Sequence, residues 1–202
     1  MNSSIKSYWD KYYLRKNKIN LPTQFASFVA LELKIIYKIN NIVEFGSGNF
    51  RDTFFFIDYN FNVTAVDPSS KLYKKHKKIK FFKLNFQEYF NKKHNKINQP
   101  TCFYGRFFFH AINLNEQIYF IELLKRKLKK TDLLALEFRI DKDKRLKKET
   151  ENHYRNFISP SYFENKLIKK NNLKIIYKKI GQGYAKYKKD DAYVARYLIK
   201  KK

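Results

Sequence analysis

A single cysteine, Cys102, stands among 202 residues. An internal disulfide is therefore excluded, and the position of Cys102 in an apolar run reads as a small core residue rather than a nucleophile. Nothing approaches the run of about 18 apolar residues that a membrane-crossing helix needs. The opening Met1-Asn-Ser-Ser-Ile-Lys-Ser-Tyr-Trp-Asp10 has no apolar signal core. These absences predict a protein of the reducing cytoplasm. Also missing are internal repeats, Pro/Gly/Ser-rich linkers and any His/Cys/carboxylate spacing that would hold a metal. A single domain, residues 1–202, with no metal is expected.

Acidic residues are scarce: 18 Asp and Glu face 44 Lys and Arg, a net charge of +26. Such a field raises nucleic acid as a partner. Against that, the excess is overwhelmingly lysine, and arginine, the better fork for phosphate, is in short supply. The lysines are scattered in pairs such as Lys74-Lys75, Lys92-Lys93 and Lys147-Lys148. They travel with the Asn, Ile, Phe and Tyr that an AT-rich genome imposes. A solvated cationic surface, suited to an acidic substrate or an anionic polymer, is favoured over a nucleic-acid track. Hydrophobic residues at 44% and aromatics at 18% exclude a disordered chain.

Apolar periodicity predicts helices near 4–14 and 22–38, the second opened by Pro22. Together, residues 1–38 read as a helical cover on a core formed by 39–202. Strands are expected at 41–45, 62–66, 79–84, 101–104 and 133–139, with helices at 51–59, 114–130 and 160–171 between or after them. A short helical turn is expected at Pro68, and 91–99 reads as an exposed loop. Strands at 174–180 and 192–199, joined around Gly181-Gln-Gly183, would form a closing hairpin. Alternating strands and helices argue for a parallel, doubly wound α/β sheet.

The densest signal is Asn41-Ile-Val-Glu-Phe-Gly-Ser-Gly-Asn-Phe-Arg-Asp52, followed by Asn62-Val-Thr-Ala-Val-Asp67. Gly46 and Gly48 let the chain turn sharply and approach a ligand. The helix behind them aims free N–H groups and a positive dipole end at that ligand. Asp67, 21 residues after Gly46, closes the next strand where a carboxylate can accept from ribose hydroxyls. A dinucleotide fingerprint would need a third glycine, and Asn49, Phe50 and Arg51 supply none. Glu44, two residues before Gly46, would repel a diphosphate and suits a ligand carrying a cation. Arg51 and Asp52 would either cap the loop helix or meet the ligand. Asn85 and Phe86 mark the end of the third strand, as a turn or a ligand contact. Arg106 and His110, four apart, would share a face if that segment is helical, near Glu137 and Arg139 at the end of the fifth strand. The lone His110 among phenylalanines is otherwise a satisfied core residue. His76 and His94 sit in lysine-rich loops and read as solvent residues.

Glu-x-Gly-x-Gly with a strand-end Asp resembles motifs I and II of class I S-adenosylmethionine-dependent methyltransferases. Further segments resemble a bacterial subgroup associated with capsule and other surface-glycan pathways. They are Tyr8-Trp-Asp-Lys-Tyr-Tyr13, Leu21-Pro-Thr-Gln-Phe-Ala-Ser-Phe28, Arg51-Asp52, Tyr104-Gly-Arg-Phe-Phe-Phe-His-Ala-Ile112, Glu137-Phe-Arg139 and His153-Tyr-Arg155. The subgroup usually has glycine where this chain has Phe50.

The resemblance implies a Rossmann-like seven-stranded, mostly parallel sheet with an antiparallel C-terminal strand and helices on both faces. The implied cofactor is S-adenosylmethionine, bound by Glu44, Gly46, Gly48, Arg51, Asp67, Asn85 and Phe86. Catalytic candidates are Arg106, His110, Glu137 and Arg139, with His110 or Glu137 as base for a neutral hydroxyl and the arginines orienting an anion. His153, Tyr154 and Arg155 are candidate substrate contacts. The expected reaction is methyl transfer to a small or glycan-linked, anionic oxygen acceptor. Two alternatives stand beside it. A nucleic-acid methyltransferase suits the charge, although Tyr104-Gly-Arg-Phe replaces the Asp/Asn-Pro-Pro-aromatic run of base-amine methylation. A non-catalytic binding protein of the same fold is the other, kept open by Phe50.

Overall fold

The computed structural model describes residues 3–13, 21–69, 79–92, 98–148 and 153–202. His76 and His94 lie outside them. Seven strands form one sheet in the order β3-β2-β1-β4-β5-β9-β6, mostly parallel, with β9 antiparallel to both neighbours and helices around it. Two compact units make up the chain, residues 1–104 and 105–202.

The first unit begins with α1 (Ser3–Tyr13) and α2 (Gln24–Glu32), the latter continued by a π-helical turn, Leu33–Tyr37. Thr23, not Pro22, opens α2: its hydroxyl oxygen accepts the Ala26 N–H at 3.1 Å, and Pro22 stays outside the cap. A threonine oxygen satisfies a helix donor that proline, lacking a side-chain acceptor, cannot. Next come β1 (Asn41–Phe45), α3 (Arg51–Asp58), β2 (Asn62–Val66) and β3 (Ile79–Phe82). β1 is buried over Ile42–Phe45 and pairs in parallel with β2 and with β4 (Thr101–Arg106). A strand covered on both faces reads as a continuous apolar run, as Ile42-Val43 and Phe45 do. Pro68 and Ser69 form a bend, and the rest of the turn expected to start at Pro68 lies outside the described residues.

One helix has no periodic signature in the sequence. α4 (Phe86–Asn91) fills the stretch between the third predicted strand and the predicted loop, meeting the loop at Asn91. The Asn85 side chain accepts the Glu88 N–H at 2.9 Å, and Glu88 accepts the Asn85 N–H at 2.9 Å. This capping box is legible as Asn85-x-x-Glu88, but six residues are too few to show a helical period.

In the second unit, α5 (Leu114–Lys127) is opened by another capping box, Asn113 with Glu116. β5 (Leu133–Arg139) is buried throughout. α6 (Pro160–Tyr162) runs into a π-helical segment, Phe163–Ile168, and a 3-10 turn. β6 (Leu173–Gly181) and β9 (Val194–Lys201) form the closing hairpin. Its connection is longer than a turn at Gly181-Gln-Gly183, because a ribbon of β7 (Lys186–Tyr187) and β8 (Asp190–Asp191) is inserted. Phe109, Phe138, Phe163 and Tyr197 stack into an aromatic core with centroids 4.8–5.8 Å apart. Among the described residues no helix is long and apolar enough to cross a membrane.

Phe50 holds φ at 62°, the left-handed conformation that glycine adopts without strain. Its ring is 3% exposed and packs edge-on against Phe81 at 5.1 Å and Phe54 at 6.4 Å. Phe50→Gly is expected to relieve about 1–2 kcal/mol of left-handed strain and to lose about 3–5 kcal/mol of buried aromatic packing. The net result is a less stable protein, read as a lower denaturation midpoint with an unchanged slope. A more stable variant would show that the ring contributes little.

Candidate active site

The loop between β1 and α3 is built by its two glycines. Gly46, at φ 73°, donates its N–H to the Val66 carbonyl at 2.9 Å, and Gly48 has φ 53°. The Gly48 N–H reaches Asp67 Oδ2 at 2.9 Å, while Ser69 N–H reaches Asp67 Oδ1 at 2.7 Å. Asp67 is thus buried at the end of β2 and tied to the loop, with one lone pair per oxygen still available. Burial raises its pKa, and Asp10 of α1 adds to that, against the two amide hydrogen bonds. The Ser47 hydroxyl between the glycines is buried without a hydrogen-bond partner.

Glu44 at the end of β1 is buried and accepts a hydrogen bond from the Thr53 hydroxyl. Burial, then the charges of Asp52 and Asp67, push its pKa up to about 8, while Thr53 and Arg51 pull the other way. Asp52 is buried too, yet it receives three hydrogen bonds: from Thr23 N–H at 2.9 Å, the Thr23 hydroxyl at 2.8 Å and the Tyr104 hydroxyl at 2.8 Å. It therefore fastens the start of α2 and the middle of β4 to the first turn of α3. Arg51 lies 3.8 Å from Asp52 with its side chain 20% exposed. Asp52 and Asp67, with the protonated Glu44, set carboxyl groups rather than cations around the glycine loop, unlike a phosphate cradle. Asn85 spends its side-chain oxygen on the α4 cap, and Phe86 is buried. The roles of Asp52, Thr23, Tyr104 and Asp10 around this loop are invisible to motif reading.

At the ends of β4 and β5 the second unit assembles a different cluster. Arg106 and His110 do not share a helical face. Arg106 is the last residue of β4, Phe107 turns the chain at φ 57°, and a 3-10 turn, Phe109–Ala111, holds His110. Left-handed backbone breaks the helix that the four-residue spacing required. Glu137 is fully buried between two guanidinium groups, accepting from Arg106 Nε at 3.0 Å and Arg196 Nε at 2.6 Å. Arg139 is buried between Asp190, at 2.5 Å, and Asp143, at 2.8 Å. The guanidinium groups of Arg106 and Arg139 lie 3.9 and 5.3 Å from the Phe107 ring centroid. Repulsion between Arg106 and Arg139 is thus met by the protein's own carboxylates.

His110 is buried, and its Nδ1 accepts the Arg139 backbone N–H at 3.2 Å. Burial, followed by the charges of Arg139, Arg155, His153 and Arg106, holds its pKa well below the usual histidine value. The Asn156 N–H binds the His110 carbonyl at 2.8 Å, which draws the 153–157 segment to this cluster. His153 and Arg155 are partly buried there, and Tyr154 is 42% exposed. Asp143, Asp190, Arg196 and Asn156 are members that no sequence pattern announced.

Glu137→Gln is expected to cost about 3–5 kcal/mol of stability, because the buried Arg196 and the partly buried Arg106 lose the charge they share. Denaturant unfolding measures this, and an unchanged midpoint would mean that solvent already screens both arginines. Glu44 carries a second expectation. Its folded pKa lies above the unfolded value, so its contribution is complete below about pH 4.5 and declines as pH rises through about 8. Ligand-free wild type should lose up to about 1.4 kcal/mol per pH unit across that window relative to Glu44→Gln. Parallel pH profiles of the two proteins would refute it.

No protein-family model matches this sequence, and no curated protein matches it. Solved structures do. A SAM-dependent methyltransferase from Anabaena variabilis aligns with TM-score 0.73 at 16% identity, covering 100% of this chain and 96% of that one. The CcbJ methyltransferase from Streptomyces caelestis gives 0.68 at 10% identity, covering 98% of each. The 1,6-didemethyltoxoflavin-N1-methyltransferase of Burkholderia thailandensis, with S-adenosylhomocysteine bound, gives 0.64 at 13% identity, covering 98% of this chain and 84% of that one. What this likeness establishes is the fold, the seven-stranded Rossmann-like sheet that these methyltransferases share.

Proposed function

We propose that this chain is an S-adenosylmethionine-dependent methyltransferase acting on a small or glycan-linked oxygen acceptor. The observation that carries the reading is the set of three buried carboxyl groups around Gly46–Gly48: Asp52 and Asp67, with a protonated Glu44 that a bound cation would ionise. A pyrophosphate would be repelled there, whereas a nucleoside bearing a sulfonium and an ammonium is attracted. The fit extends to hydrogen bonding. Asp67 retains lone pairs for ribose hydroxyls, the buried Ser47 hydroxyl lacks a partner, and the start of α3 with Arg51 suits a carboxylate. The solved structures similar to this chain include methyltransferases described with S-adenosylmethionine and with sinefungin. When bound, the cofactor supplies a methyl group already activated by positive sulfur. The chain's own task is to hold cofactor and acceptor in line.

In this reading Glu44 and Asp67 hold the cofactor. Asp52 positions the loop through Thr23 and Tyr104. Asn85 caps α4 and reaches a ligand only through its amide nitrogen. His110, Tyr154 and Arg155 are the candidate acceptor contacts. Arg106, Glu137 and Arg139 act as the ion-paired framework behind them.

Calorimetry with S-adenosylmethionine and with NAD tests the cofactor. Binding of the first alone is expected; binding of NAD alone would overturn the reading. Asp67→Ala should weaken S-adenosylmethionine by at least about tenfold, since each charge-assisted hydrogen bond contributes about 1.5–3 kcal/mol. It should also lower stability, because the Gly48 and Ser69 amides lose their acceptor. Lower stability with unchanged affinity would make Asp67 purely structural.

A further inference from the structure

We infer that His110 is a neutral hydrogen-bond donor through Nε2, not a general base, and that the acceptor therefore arrives as a ready-made oxyanion, a carboxylate or a phosphate. This rests on the methyltransferase reading for the reaction, but on the geometry of the second unit for the chemistry.

Arg139 N–H points at His110 Nδ1 from 3.2 Å, so that nitrogen must present its lone pair. In a neutral imidazole the proton then sits on Nε2. Protonating Nδ1 would set two donors against each other, and the backbone of β5 cannot rotate away. The surrounding charges act in the same direction. Arg139 from β5, Arg106 from β4 and both His153 and Arg155 from the 153–157 segment all disfavour a second proton, and the Phe107 ring packs edge-on at 5.0 Å. Among the described residues Nδ1 has its partner and Nε2 has none. A second donor stands close by. The Asn156 Nδ2 group is buried without a partner on the residue whose backbone N–H binds the His110 carbonyl.

The described carboxylates of this cluster are spent. Glu137 gives one oxygen to Arg106 and the other to Arg196. Asp190 serves Arg139, and Asp143 serves Arg139 and the Tyr193 N–H. Among the described carboxylates of the cluster none is left as a free proton acceptor. A neutral alcohol needs a base to lose its proton. An oxyanion does not: its lone pair forms the O–CH3 bond as the C–S bond breaks, the sulfur departs as a neutral thioether, and no proton changes hands.

The test is nitrogen-15 NMR of the full chain, with His110 identified by the signal lost in His110→Gln. The expected spectrum has Nε2 protonated and Nδ1 bare, unchanged from pH 5.5 to 8. Titration within that range, or a proton on Nδ1, overturns the inference. Glucuronate and glucose 6-phosphate, added in turn, distinguish a carboxylate from a phosphate. One of them should shift the Nε2–H resonance, and glucose should not. A shift with glucose alone, or with none of the three, counts against the oxyanion. His110→Gln keeps a donor at the Nε2 position and should hold affinity for the active probe within about threefold, while His110→Phe should lose about tenfold, one hydrogen bond to a charged group. Equal loss in both variants would assign His110 a packing role. None of these readouts involves methyl transfer, so failure to bind S-adenosylmethionine sinks the preceding reading separately.

Discussion

A carboxylate buried at a strand end must find donors or give up its charge, and both units of this protein are organised by that requirement. Parallel strands carry side chains to a common edge, where desolvation of a lone charge is costly. The first unit answers with neutral donors. Asp52 collects two bonds from Thr23 and one from Tyr104, and Asp67 collects two loop amides. Glu44, with a single hydroxyl donor, is the group that keeps a proton instead. The second unit answers with guanidinium groups. Glu137 lies between Arg106 and Arg196, and Arg139 between Asp143 and Asp190. The first arrangement leaves negative potential to attract a cation; the second leaves balanced charge and a surplus of donors.

Backbone strain follows the same geography. Phe50 and Phe107 both adopt the left-handed conformation, one just after the glycine loop and one just after β4. Each costs free energy that an aromatic residue recovers only through its ring. Phe50 recovers it in apolar packing against Phe81 and Phe54. Phe107 recovers it from cationic neighbours, Arg106 and Arg139. The turn at Phe107 has a chemical consequence, because it separates Arg106 from His110 and lets the imidazole meet the Arg139 amide. A helical continuation of β4 would have put both side chains on one face and left Nδ1 without that donor.

The amino-acid sequence by itself determined the fold class and most of its order. β1 and β2 end where largely apolar runs meet Gly46 and Asp67, and β5 opens on the apolar Leu133-Leu-Ala-Leu136, since a strand covered on both faces is mostly apolar. The glycine loop was equally legible, because Gly46 and Gly48 are required by positive φ. α4 was not, since six residues hold less than two turns. Tertiary structure alone decided which charges meet. Arg139 pairs with Asp190, 51 positions away, and Asp52 with Tyr104, 52 positions away. Periodicity reports neighbours two to four residues apart and is silent on such pairs. The chemistry of His110 lies in the same category: its residue type can be read in the chain, but the nitrogen that carries its proton is fixed by a backbone amide of β5, 29 positions away.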